Sequence, residues 1–442
     1  MSISKAKIIA LLLLFFVIQT KSQTAMQLSQ QIFADLKSGN FAKVDVLFDT
    51  TGILNFITTG EKINYKKDLE DFGDLKKLIS SEEEPNGFKT RVALGLQFKK
   101  EKKSLILVFN QNNKLEKCFF INYTETPFFH LKGYKGFSEV TDLTTAVKTR
   151  DGLTLGANIA FGDTSKQKSP LVIFVHGSGP GDRDETFGPN KPFRDLAQGL
   201  AQQGIVSIRY DKRTFTYQYN SKLMNDSMTL YEETINDAID AMKLAKQFTF
   251  IDTTKIYIIG HSQGAMCAPK VAELCPKLKG IVMMAGPATN LVDIIPPQME
   301  YMAMLDDTIS TAEQMQITSV KWMVDKIKSP TLSNKTPKGM LMGASATYWR
   351  SILKYNQVET AKKLNLPVLI LNGERDYQVT LKEFQLWKQQ LAAKKNVQFM
   401  SYPLLNHLFL EGNGKPNPAE YDKPGHIPQY VIDDLARFIK GN

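Results

Sequence analysis

The sequence predicts an α/β fold built on a doubly wound, mostly parallel sheet and preceded by a small α+β domain. From about residue 138 onward, short apolar strands alternate with helical patterns, which is typical of a parallel sheet with helices on both faces. Before that point, helical patterns give way to two-residue alternation of apolar side chains, as in half-buried strands. The chain has 442 residues, 43% hydrophobic and 23% charged, which excludes wholesale disorder and coiled coil.

The first 22 residues predict an export signal. Lys5 and Lys7 precede an unbroken apolar run at 8–18, and small residues follow at 20 and 22. The run is much shorter than the ~20 residues that span a bilayer. We therefore expect cleavage near Ser22 and an exported protein, periplasmic or secreted, without a membrane span after removal of the signal. An uncleaved anchor is the alternative.

Residues 23–135 form the predicted α+β domain. Leu28, Ile32 and Leu36 recur at helical spacing, and a second helical pattern runs over 69–79. Strands are predicted at 92–98, 105–109 and 118–123. The domain contains no combination of residues that points to a chemical reaction, so the sequence assigns it no role.

Charge and cysteine usage exclude several classes of function. The net charge of +10 is spread along the chain, whereas a nucleic-acid-binding protein concentrates its charge on one surface. The densest basic run, Lys99–Lys103, is interrupted by Glu101 and predicts a solvated hairpin turn. Five scattered histidines and three cysteines without a C-x-x-C pair predict no metal site and no disulfide framework.

The second predicted domain, residues 136–442, contains the strand–helix alternation. The predicted strands are 139–148, 153–161, 171–175, 205–210, 255–259, 279–285, 366–371 and 397–402. Residues 286–362 interrupt the alternation, carry seven of the 16 methionines and predict a helical cap insert over the carboxyl edge of the sheet. An apolar pocket lined by this cap and an ordinary helical core fit the pattern equally well.

The pentapeptide Gly260-His-Ser-Gln-Gly264 predicts a nucleophile at Ser262. A G-x-S-x-G sequence is a weak signal by itself, but here a buried strand precedes it and a helical pattern follows. Strand, sharp turn and helix are the context that a nucleophile elbow requires. Pro269 lies inside the predicted helix and is expected to kink it.

A serine hydroxyl needs a base, and His407 is the best placed histidine. It follows the last strand, at the carboxyl edge where Ser262 also emerges. His176 and His261 lie in turns at strand ends, and His130 lies in the other domain. His426, which precedes the final helix, is the alternative base.

The acid that orients the base is expected between the serine and the histidine in the chain. Asp376 lies in the loop after the strand at 366–371 and has the expected order, Ser262, Asp376, His407. Glu374 and Asp293 are alternatives.

A glycine-rich turn, His176-Gly-Ser-Gly-Pro-Gly181, follows the strand at 171–175 and predicts an oxyanion hole. We expect the main-chain N–H groups of Ser178 and Gln263 to be its donors. A dinucleotide-binding loop would need a glycine at position 182, which is Asp182, and this run also contains a proline. The sequence therefore predicts no cofactor.

Together these motifs resemble the α/β-hydrolase superfamily, over about residues 138–440. The runs His176–Asp184, Arg209-Tyr-Asp-Lys-Arg213 and Gly260–Gly264 are similar to a group of bacterial serine esterases, with dienelactone-hydrolase-like and serine-aminopeptidase-like relatives. The resemblance implies hydrolysis of a small-molecule carboxylic ester through a Ser262–His407–Asp376 triad, without a cofactor. A serine peptidase of aminopeptidase type and a non-catalytic binding protein on the same fold are the alternatives. The sequence leaves the oligomeric state open.

Overall fold

The computed structural model describes residues 24–48, 65–86, 89–110, 113–123, 140–164, 167–217 and 225–441. The predicted export signal, residues 1–22, and His130 lie outside the described residues. The chain divides into two compact units, Met1–Glu125 and Thr126–Asn442.

The first unit contains helices and a four-stranded antiparallel sheet. The helices are α1 (Ala25–Lys37), α2 (Phe41–Asp45) and α3 (65–72), and the strands, in sheet order, are β1 (Leu75–Asn86), β2 (Lys89–Phe98), β3 (Lys102–Phe109) and β4 (Leu115–Asn122). Helix α1 begins at a capping box formed by Thr24 and Gln27. The turn predicted over Lys99–Lys103 is shorter in the structure: residues 99–101 join β2 to β3, and Lys102 and Lys103 belong to β3.

The predicted helix over 69–79 is wrong beyond residue 72. Gly73 has φ +76° and follows the end of α3, and Leu75 and Leu78 belong to β1. The pairing of β1 with β2 shifts register between Leu75 and Lys77 and again between Leu78 and Ser80. These irregularities break the two-residue period, so the apolar residues of the strand fall at helical spacing.

The second unit is built on an eight-stranded sheet, which confirms the predicted α/β class. Its strands are β5 (Thr141–Lys148), β6 (Thr154–Phe161), β7 (Ser169–Val175), β8 (Val206–Tyr210), β9 (Ile251–His261), β10 (Gly280–Met284), β11 (Val368–Gly373) and β12 (Val397–Tyr402). The spatial order is β12-β11-β10-β9-β7-β8-β6-β5. Strands β12 to β8 pair in parallel, and β6 and β5 add an antiparallel edge.

Helices cover both faces of this sheet, and the central strands are therefore buried on both sides. The helices are α4 (Pro192–Gln202), α5 (Arg213–Thr216), α6 (Asn236–Lys243, after a π-helical turn at Tyr231–Ile235), α7 (Gln263–Leu274), α8 (Leu291–Ala303), α9 (Thr311–Lys328), α10 (Ala346–Lys354), α11 (Gln357–Lys362), α12 (Leu381–Leu391) and α13 (Gln429–Gly441). Alternate residues of β7 belong to two separate apolar cores: Ile173 packs in one and Phe174 in the other.

The predicted insert between β10 and β11 contains the four helices α8 to α11. The first residues of the insert are held by two buried side chains. Gln357 donates to the carbonyl oxygens of residues 287–289, and Glu383 accepts from the N–H groups of Ala288 and Thr289. Met315 and Trp322 on α9 are exposed, so this part of the insert is not an ordinary buried core.

The start of α7 touches the end of β7 without an intervening side chain. A Cβ built at Gly264 would overlap the carbonyl oxygens of Val175 and His176, and one built at Gly260 would overlap the carbonyl oxygen of Gly264. Both glycines of the pentapeptide are therefore required by close backbone approach. Helix α7 continues through Pro269.

Gly264→Ala is expected to destabilise the fold by about 3 kcal/mol or more, because main chain rather than a flexible side chain opposes the added methyl group. Gly339→Ala is the matched control, since a Cβ there meets no atom within 4 Å. Denaturant unfolding of the two variants checks this. Equal free energies of unfolding for both would contradict it.

Candidate active site

Ser262 lies in a strained turn between β9 and α7. Its backbone has φ +52° and ψ −116°, a region that residues with a Cβ rarely adopt. The Ser262 N–H donates to the carbonyl oxygen of Met284 at 2.9 Å, which fixes the turn to the neighbouring strand β10. The predicted strand–turn–helix arrangement is present, and it brings Ser262 to the carboxyl edge of the sheet.

Asp376 and His407 meet at the same edge. The Nδ1 atom of His407 lies 2.7 Å from Oδ2 of Asp376, and both side chains are buried. The other carboxylate oxygen of Asp376 accepts from the N–H groups of Gln378 and Val379. A carboxylate can only accept hydrogen bonds, so a neutral His407 ring carries its proton on Nδ1, which faces Asp376. The Nε2 atom is then able to accept a proton.

The loops that carry Asp376 and His407 are joined through their main chains. Arg375 N–H donates to the carbonyl oxygen of Leu405 at 3.0 Å, and a Cβ at Gly373 would overlap that same oxygen. The carboxyl ends of the adjacent parallel strands β11 and β12 therefore place the two side chains together.

The alternative residues lie elsewhere. His426 contacts the carboxylate of Asp195 on α4 at 3.2 Å. Glu374 accepts from the hydroxyl of Ser401, and Asp293 pairs with Lys328 on the surface of the insert. The structure brings none of these three residues to the Asp376–His407 pair.

The predicted oxyanion turn lies against Ser262. A Cβ built at Gly177 would lie 3.3 Å from Cβ of Ser262, so the peptide that links Gly177 to Ser178 borders the serine side chain. Gln263 is the first residue of α7, and the N–H groups of a first helical turn have no acceptor within the helix. The positive end of the α7 dipole favours an anion at this place.

Comparisons with known proteins identify the family of this chain. The profile of the family described as serine aminopeptidase, S33, matches residues 168–413. Esterase EstD of Thermotoga maritima is 34% identical over 380 residues, which cover 85% of this chain and 84% of that protein. The chain belongs to the α/β-hydrolase superfamily, in its group of serine esterases. The EstD alignment is longer than the second unit, so this esterase shares part of the first unit as well.

Two solved esterase structures are also similar to this hydrolase. An esterase of Pyrococcus furiosus has 16% identity and a TM-score of 0.45, and the match covers 73% of this chain and 99% of that one. Est1E of Butyrivibrio proteoclasticus has 17% identity and a TM-score of 0.41, and the match covers 67% of this chain and 96% of that one.

Within the described residues, no group of three or more His, Cys, Asp or Glu side chains is arranged to hold a metal ion. Over the same ranges, the hydrolase contains no helix that is both apolar and long enough to cross a bilayer.

Glu185, a residue with no functional signal in the sequence, also lies at the site. Its carboxylate accepts from the N–H of Gly177 at 2.7 Å and lies 3.1 Å from Nδ1 of His261. The Nε2 atom of His261 lies 2.8 Å from the carbonyl oxygen of His407, which can only accept. Although burial opposes the charged ring, the Glu185 carboxylate raises the pKa of His261. His261 thus connects Glu185 to the His407 loop, and the nearby carboxylate favours the charged form of its ring.

A second buried ion pair, Lys212 with Glu233, also contacts the main chain of Gly177. The ammonium of Lys212 is 2.6 Å from Glu233 and donates to the carbonyl oxygen of Gly177 at 2.9 Å. The side chains of Gln263 and of Tyr348, from α10 of the insert, donate to the other oxygen of Glu233. Burial favours the neutral acid, but the Lys212 charge outweighs it and lowers the pKa of Glu233.

Neither pair was recognisable from sequence, because each joins segments distant in the chain. The available signal was a charged residue next to an otherwise buried strand end, as at Lys212 after β8. That signal identifies a buried charge and leaves its partner open.

His176, at the end of β7, is buried as a neutral ring. Its Nε2–H donates to the carbonyl oxygen of Asp182 at 2.8 Å, and its Nδ1 has no hydrogen-bond partner among the described residues. Burial lowers the pKa of His176 to about 4. Between pH ~6.5 and ~4 the unfolded chain therefore binds a proton at this residue that the folded chain does not.

His176→Gln is expected to remove part of the acid sensitivity of the fold. For wild type, the His176 contribution is present above pH ~6.5 and is lost as the pH falls towards 4, by up to about 3 kcal/mol. Between pH 7 and 4, the free energy of unfolding should therefore fall less for the variant than for wild type. Parallel curves would show that His176 does not titrate in this way.

Proposed function

We propose that the protein hydrolyses small-molecule carboxylic esters with Ser262 as nucleophile, His407 as general base and Asp376 as the acid that orients His407. The observation that carries the proposal is the 2.7 Å contact between His407 Nδ1 and Asp376, at the sheet edge where the strained Ser262 turn emerges. Membership of a serine esterase group supports ester cleavage. The proposed chemistry uses side chains and water, without a cofactor.

In the first step, His407 Nε2 takes the hydroxyl proton as Ser262 Oγ attacks the ester carbonyl carbon. The negative charge that develops on the carbonyl oxygen is stabilised by the N–H groups of Ser178 and Gln263. The carbon–oxygen bond to the alcohol then breaks, and the alcohol leaves with the proton from His407. An acyl group remains on Ser262.

In the second step, His407 takes a proton from water, and the resulting hydroxide attacks the acyl carbon. Collapse of the second tetrahedral intermediate releases the carboxylic acid and returns the proton to Ser262 Oγ. Asp376 holds the ring of His407 and stabilises the imidazolium in both steps. A preorganised oxyanion donor of this kind contributes roughly 3 kcal/mol to lowering the barrier.

The same arrangement of groups could cleave an amide, and the family profile is described by an aminopeptidase. The relative that aligns across most of the chain is an esterase, and we therefore propose the ester as substrate.

Ser262→Ala is expected to lower kcat for a p-nitrophenyl acyl ester by at least roughly 10⁴-fold, because the acyl acceptor is removed. Thermal unfolding should show that the variant is folded. Ser401→Ala is the control, since this hydroxyl contacts Glu374 and lies outside the site. A fluorophosphonate should label wild type at residue 262 and leave the alanine variant unlabelled.

Three outcomes would overturn the proposal. Wild-type turnover in Ser262→Ala would exclude Ser262 as nucleophile. A wild-type protein that neither turns over esters nor accepts the fluorophosphonate would be a non-catalytic binding protein. Faster cleavage of aminoacyl anilides than of acyl esters would assign a peptidase.

His407→Ala should reduce kcat/KM by at least roughly 10³-fold, because it removes the group proposed to take the serine proton. His426→Ala should retain kcat/KM close to wild type, although the melting temperature falls because the buried carboxylate of Asp195 loses a partner. Steady-state kinetics of both variants decide between the two histidines. An inactive His426 variant beside an active His407 variant would reassign the base.

A further inference from the structure

Gly177, the residue before the proposed oxyanion donor Ser178, is held by buried groups of opposite charge. Its N–H donates to the carboxylate of Glu185, and its carbonyl oxygen accepts from the ammonium of Lys212. The charged end of each side chain is withdrawn from solvent: the Lys212 side chain is 2% exposed and that of Glu185 is 14% exposed. Charge-assisted bonds in such surroundings are stronger and shorter than neutral ones.

Each of these groups is also paired with the serine turn. Glu185 pairs with His261, which precedes Ser262, and Lys212 pairs with Glu233, which accepts from the side chain of Gln263, the residue after Ser262. The two chain neighbours of Ser262 are therefore linked to the main chain of Gly177. His261 is linked through Glu185, and Gln263 is linked through Glu233 and Lys212.

The geometry of the peptide group gives these contacts a catalytic consequence. The carbonyl oxygen of Gly177 and the N–H of Ser178 belong to the same planar trans peptide and point in opposite directions. A cation that fixes the oxygen therefore fixes the direction of the N–H.

We propose that the residues of the pairs Glu185–His261 and Lys212–Glu233 are positioning residues for the proposed oxyanion donor. Lys212 fixes the Gly177–Ser178 peptide through its carbonyl oxygen, and Glu185 fixes the preceding peptide through the Gly177 N–H, so that the Ser178 N–H keeps the orientation needed to stabilise the oxyanion. We call these two pairs and Gly177 the oxyanion clamp. This inference rests on the proposed function, because it assumes that Ser178 N–H meets the developing charge.

The clamp also connects the site to the insert. The hydroxyl of Tyr348 on α10 lies 2.9 Å from Glu233 and 3.2 Å from the amide nitrogen of Gln263. Tyr348 therefore holds the carboxylate of Glu233 from the side opposite Lys212, and we include it among the positioning residues.

The test variant is Lys212→Met with Glu233→Gln, which removes the donor to Gly177 and leaves no unpaired buried charge. The matched control is Arg213→Met with Asp237→Asn. This neighbouring ion pair is equally buried, has 2.8 Å and 2.6 Å contacts, and does not contact Gly177. Both variants lose one buried ion pair, and the control also loses the contact of Arg213 with the more exposed Asp151, so both are expected to melt at lower temperature.

The two variants should differ in catalysis. We expect kcat for a p-nitrophenyl ester to fall between ~10- and ~100-fold in the clamp variant with KM within about twofold, because the lost interaction forms only in the transition state. A boronic acid that adopts the tetrahedral form should bind more weakly by a similar factor. The control should keep wild-type kcat and wild-type affinity for the boronic acid.

Equal kcat in clamp variant and control would overturn the proposal, as would a change confined to KM. If the clamp variant shows no cooperative unfolding, Tyr348→Phe takes its place, because it removes one hydroxyl and leaves both ion pairs. A fall in kcat of about threefold at constant KM is expected, and wild-type kcat would overturn the proposal. Ester turnover and fluorophosphonate labelling of the wild-type protein test the proposed function separately.

Discussion

The direct contact between the first turn of α7 and the end of β7 is the constraint on which the rest of the site depends. Two main-chain segments meet there with no side chain between them, at Gly264 and Val175. This contact brings the Ser262 turn beside the glycine-rich turn at Gly177, so that the proposed nucleophile and the proposed oxyanion donors share one edge of the sheet. The parallel strands β11 and β12 then bring Asp376 and His407 to that edge by their order alone.

The sequence was sufficient for those features that follow from strand order. Parallel strands present their carboxyl ends at one edge, so Ser262, Asp376 and His407, each just after a strand, could be predicted to lie at that edge without coordinates. The alternation of strands and helices predicted the sheet for the same reason. The β1 strand was mistaken for part of a helix, because its irregular pairing with β2 removes the two-residue period on which recognition of a strand depends.

Contacts between side chains distant in the chain could not be predicted in this way. Glu185 and His261, like Lys212 and Glu233, are ordinary charged residues in the sequence, and their importance comes from burial beside a specific partner. Removal of such charges from water is unfavourable unless each finds an opposite charge and further hydrogen bonds. Main-chain groups of Gly177 supply two of those bonds, which helps the protein to accommodate Glu185, Lys212 and Glu233 around one residue.

The backbone strain at Ser262 has a consequence for engineering. A φ of +52° suits glycine, whereas a side chain at that angle costs the folded state about 1–3 kcal/mol. Selection for heat resistance alone will therefore favour glycine at this position and discard the hydroxyl. A thermostability library of this chain therefore needs residue 262 held constant, or a parallel screen for turnover, so that the most stable variants keep the proposed nucleophile.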